Sequence, residues 1–202
     1  MIYFSDVDVV LKLAACGFLP FLPELLGMDA GEIEIQYLVS LRSRLSRSSK
    51  KLANLRQEDL EAFCSAHQIL GASTNLRREQ ELLQSGLDPG EALLFAEAEA
   101  TGGIVVTGDK RALAAYAKVS TSVERAKIKV VCWEQLLLRV HQLHGYESLR
   151  NGCCEGIESD KLLSLAFSSG PATQEGHALE ALQSYLGAVK AHSADILVQF
   201  DP

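Results

Sequence analysis

Short apolar runs alternate along this chain with longer stretches in which apolar residues recur at helical spacing. Residues 2–4 form a brief β-prone run that ends at Ser5 and Asp6. A helical pattern follows over 9–15, Gly17 closes it, and Pro20 and Pro23 suit the first turn of the next helix. Ile33, Ile35 and Tyr37 alternate with Glu34 and Gln36, which predicts a second strand. Helical patterns then cover the basic segment after Ser40, residues 57–70, and residues 75–84, the last stopped by Gly86.

The stretch 87–111 carries the clearest local signals. Asp88-Pro89-Gly90-Glu91 combines a capping residue, a proline at the first helical position and a carboxylate three residues after the cap. The helix it opens should run to about Ala100, where Gly102 and Gly103 end it. Residues 104–107 then read as a compact buried strand, with Asp109 just beyond it and a helix over 110–118. A further strand over 128–132 and a helix over 134–144 complete the alternation. The pattern predicts a three-layer α/β/α sandwich with a mostly parallel sheet over residues 1–150. Residues 151–202 read as a helical C-terminal extension, with helices near 159–167 and 175–192.

Composition narrows the class. With 202 residues, 48% hydrophobic and 22% charged, the chain can bury one sizeable core. Five cysteines without a C-x-x-C pair argue against a disulfide framework or a zinc site. The most apolar stretch, 9–28, is interrupted by Lys12, Pro20, Pro23 and Glu24, which suits no membrane span. Asp6 and Asp8 stand where a signal peptide would carry positive charge, so a cytoplasmic protein is expected.

A net charge of −7 excludes bulk electrostatic coating of nucleic acid. The charge is unevenly placed. No acid occurs between Glu34 and Glu58, whereas Arg42, Arg44, Arg47, Lys50, Lys51 and Arg56 all do. That run reads either as a solvated helix face or as a local phosphate-binding surface.

Asp6 and Asp109 each follow a short buried strand directly, and ligands of open parallel sheets bind outside the carboxyl ends of the strands. Glu91 opens the helix that leads into the second of these strands. Three converging carboxylates repel one another unless they are partly protonated or share a cation. All-oxygen ligands suit Mg²⁺ or Mn²⁺, which would polarise a phosphodiester and activate water. Each acid also has a local alternative. Glu91 fits a capping box with Asp88, Asp109 fits an N-cap for the following helix, and Asp6 or Asp8 fits a cap for the first helix.

Three segments resemble the PIN-domain family. The opening, with Asp6 ending a strand and Asp8 two residues on, looks like the first family strand and its supporting polar position. Residues 87–92 resemble the D-x-G-E-A form of the third acidic position, here Glu91. Residues 104–111, IVVTGDKR, resemble the strand ending in the last acid, here Asp109. The likeness covers about residues 1–144 and implies a Mg²⁺- or Mn²⁺-dependent ribonuclease. Asp6, Glu91 and Asp109 would bind metal, Asp8 and Thr107 would orient them, and Lys110, Arg42, Arg44 and Arg47 would meet RNA phosphates. It also implies a toxin–antitoxin role with an antitoxin-like protein partner, and homodimerisation. One family feature is missing: residues 37–42, YLVSLR, hold no glutamate where the second acid would align. A catalytically weak or inactive PIN-like scaffold is the competing expectation.

Overall fold

The computed structural model describes residues 1–27, 33–43 and 55–200. Its strands are β1 (Ile2–Ser5), β2 (Glu34–Leu38), β3 (Gln68–Leu70), β4 (Ile104–Thr107) and β5 (Lys129–Cys132). The helices are α1 (Val7–Ala15), α2 (Leu22–Leu25), α3 (Gln57–Ala66), α4 (Leu76–Gln84), α5 (Pro89–Thr101), α6 (Lys110–Val119) and α7 (Ser122–Arg125). They are followed by α8 (Trp133–Glu155, broken at Gly145 with φ 79° and ψ 170°), α9 (Lys161–Ala166) and α10 (Glu175–Ser193).

The five strands form one parallel sheet in the order β3-β2-β1-β4-β5. All four residues of β4 are buried, as are three of the four in β1, which is what a parallel sheet covered on both faces requires. The architecture is α/β and compatible with a three-layer sandwich. From β1 the chain steps outward to β2 and β3, then returns to the other side of β1 to lay down β4 and β5. Right-handed crossovers running in opposite directions need helices on opposite faces. The reversal leaves a crevice between the carboxyl ends of β1 and β4, and both Asp6 and Asp109 lie there.

The expected helix over 57–70 is corrected. It stops at Ala66, His67 turns extended (φ −122°, ψ 161°), and residues 68–70 pair with β2 as the edge strand β3. A three-residue strand has too little period to be seen beside a helix pattern; its pairing with residues 36–38 decides it.

The boundary expected at residue 150 falls inside α8, and the carboxyl-terminal helices share the main core. Leu149, Leu162, Phe167, Leu182 and Ile196 belong to the same buried cluster as Phe4, Val105 and Val130. Gly152 makes this docking possible, because a methyl group there would strike the Phe18 ring and lie 2.5 Å from the Cys16 carbonyl oxygen. Beyond α10 the chain lies along β5. Val130 N–H donates to the Ile196 carbonyl at 2.8 Å, and Val198 N–H donates to the Val130 carbonyl at 2.9 Å. That short parallel contact covers part of the β5 edge. Among the described residues no helix is long and apolar enough to cross a membrane.

Candidate metal centre

Asp6 continues the pairing of β1 by one residue, its N–H donating to the Val106 carbonyl at 2.9 Å. This bond ties the residue to the end of the neighbouring strand. Asp6 occupies the N-cap position of α1, yet its side chain makes no capping hydrogen bond. Burial, followed by the charge of Asp8, raises its pKa to about 6; the nearby N–H groups of Asp8 and Val7 oppose the rise, and Asp88 adds to it.

Asp88 and Glu91 form the expected capping box at the start of α5. Gly90 lets that helix start approach the end of β2, since a Cβ there would sit 2.8 Å from Leu38 Cδ1. Burial is the main cause that lifts the Glu91 pKa to about 7. The Asp88 N–H opposes that rise, while the charges of Asp88, Asp109 and Asp6 reinforce it. Three acids from three separate elements therefore act on one another.

Asp109 caps α6, its Oδ1 accepting from the N–H groups of Arg111 at 2.7 Å and Ala112 at 3.2 Å. Thr107 Oγ1 accepts from the Asp109 N–H at 3.1 Å. Each cap takes one carboxylate oxygen, Oδ1 of Asp109 and Oε2 of Glu91, and Asp109 Oδ2 lies 3.6 Å from the Arg111 guanidinium.

These acids line a single cavity of about 400 Å³ formed by Asp6, Asp8, Lys12, Asp88, Glu91, Gly108, Asp109 and Arg111. A second cavity of about 330 Å³ shares Asp88, Glu91, Asp109 and Arg111 with it and extends to Gly86, Ala112 and Ala115. Asp88 adds a carboxylate to the cleft, where the sequence offers no acid after β2. Asp8 turns to Lys12, with Oδ2 2.6 Å from Nζ.

Lys110 is not brought to the acids. Its ammonium lies 2.7 Å from Oε1 of Glu134, a residue only 2% exposed, and 4.1 Å from the centre of the Tyr185 ring. Arg42 is exposed on a helical turn at 40–43, just after β2. Arg44 and Arg47 lie outside the described residues. Lys12, which lines the cavity, is in contact with Asp160, a residue the sequence offers only as a helix-start cap. A lysine on the buried stripe of a helix is the one local signal of such a role.

Among the described residues no three His, Cys, Asp or Glu side chains are drawn together as a group that could hold an ion directly. The donor chemistry nevertheless fits a hydrated Mg²⁺ or Mn²⁺. The lining is oxygen-rich, several carboxylates repel one another across it, and Mg²⁺ keeps much of its water and needs only one or two protein carboxylates. No family model matches the chain, nor does any curated protein or any solved structure.

Proposed function

We propose that the cleft is the active site of a PIN-like, Mg²⁺- or Mn²⁺-dependent ribonuclease that hydrolyses RNA phosphodiester bonds. The observation that carries this reading is the convergence of Asp6, Glu91 and Asp109 on one cavity at the sheet's switch point. A divalent ion bound there would polarise the phosphate and lower the pKa of a bound water. Asp6, Glu91 and Asp109 would hold the ion, with Asp88 beside them. Thr107 would keep Asp109 in place through the backbone bond described above. Arg111, with its side chain 94% exposed, borders the cavity 3.6 Å from Asp109 Oδ2, and would exchange that contact for a backbone phosphate of an entering strand.

A second reading rests on a specific observation as well. Residues 37–42, YLVSLR, supply no carboxylate after β2, which is what a PIN-like scaffold with a weak or inactive site would share. RNA cleavage by the purified protein with Mn²⁺ or Mg²⁺, beside Asp109→Asn, separates the two. Asparagine still caps α6, so cleavage that vanishes in this folded variant supports the nuclease. Absence of cleavage in both, without any stabilisation by Mn²⁺, supports the scaffold.

A further inference from the structure

Lys12 is 7% exposed, and both of its ion partners are carboxylates: Asp8 on its own helix at 2.6 Å and Asp160, from the segment before α9, at 2.5 Å. The ammonium also lies 5.9 Å from the centre of the Trp133 ring. Asp160 is itself held, because its Oδ1 accepts from the Leu162 N–H at 2.7 Å while Oδ2 meets Lys12. The loop beside Asp109 leaves room for the charge: a Cβ on Gly108 would lie 3.2 Å from Nζ. A buried ammonium fixed from two sides, on the wall of a cavity lined by carboxylates, is a resident cation.

We propose that Lys12 serves as the second cation of the cleft, pinned there by Asp160, so that the cleft takes one divalent ion and not two. The inference rests on the metal-dependent reading above. Two-ion sites hold their metals about 4 Å apart and need carboxylates to share between them. Here Asp8, the acid closest in sequence to Asp6, is engaged by Lys12, so the ammonium takes the place beside it and Asp8 is not left to be shared with a second ion. Asp6, Asp88, Glu91 and Asp109 remain for a single ion. Asp160 is then a positioning residue, and the carboxyl-terminal segment is part of the site.

The test is a count of bound Mn²⁺ on the full chain by titration calorimetry, checked by the loss of free-Mn²⁺ paramagnetic signal. The wild-type chain is expected to bind one ion. Lys12→Gln is expected to bind two, and Lys12→Arg, which restores the charge, one. If Lys12→Gln fails to fold, Lys12→Met serves instead; it keeps the apolar stem, removes the charge and should likewise bind two ions. Two ions on the wild-type chain, or a count unchanged in the charge-removing variant, overturns the role of Lys12 alone. No bound ion on the wild-type chain overturns the metal-dependent reading and this inference with it.

Discussion

Asp88 and Glu91 hold each other at the start of α5: the Glu91 N–H donates to Asp88 Oδ1 at 2.9 Å, and the Asp88 N–H donates to Glu91 Oε2 at 3.0 Å. Both carboxylates also line the cleft. One residue pair thus starts a helix and lines the cleft, and substitutions can separate the helix start from the proposed function.

Glu91→Gln keeps a side-chain acceptor at the third helical position, a residue type that capping boxes accept. Its stability at neutral pH should stay within about 0.5 kcal/mol of wild type or rise. Glu91→Ala removes the acceptor and should cost about 1 kcal/mol, a typical loss for a cap. Both variants should lose RNA cleavage by on the order of 100-fold or more, since even outer-shell partners of metal sites cost 10–100-fold. Thermal melts beside a cleavage assay check the pair; equal melts for the two variants would remove the cap role.

The raised pKa values make a pH prediction whose sign is definite. Asp6 moves from 3.8 to about 6, and Glu91 from 4.5 to about 7. Between these limits the folded chain binds more protons than the unfolded chain, so both groups lower stability as pH rises from about 4 to about 7. The penalty is absent below that window and complete above it. Asp6→Asn combined with Glu91→Gln should therefore melt a few degrees above wild type at about pH 8 and no higher than wild type at about pH 4. Melting curves in chelator across that range would show the difference opening with pH.

Mn²⁺ should stabilise the wild-type chain. At a concentration a hundred times its Kd, one bound ion contributes about 2.7 kcal/mol, worth several degrees in Tm for a chain of this size. Asp109→Asn should lose most of that increment. A ligand-induced shift that survives in the variant would place the ion elsewhere.

The carboxyl-terminal helices should be inseparable from the sheet domain. Gly152→Ala would push a methyl group against Phe18 and the Cys16 carbonyl and should cost about 1–3 kcal/mol, the usual range for overpacking. A chain ending at residue 150 should not fold to a stable monomer, because α8 would be cut and the core partners Leu162, Phe167, Leu182 and Ile196 removed. Denaturant unfolding and gel filtration check both.

Much of the site was legible because its signals are local. Caps at Asp88 and Asp109 and the strand runs ending at Asp6 and Thr107 depend on residues within a few positions of one another, where spacing constrains geometry. Glycines at 90 and 108 could be read as breaks, but not as the close approaches they permit.

By itself the sequence determined the alternation of strands and helices, the helix starts, and which acids stand at strand ends. These follow from short-range hydrogen bonding and apolar periodicity. Only the tertiary structure decided that residues 68–70 form a strand, that Lys110 pairs with Glu134 and not with the cleft, and that Asp160 reaches Lys12. Such pairings join distant parts of the chain. They are set by how α8 docks on α1 and how strands find neighbours, which no local pattern encodes.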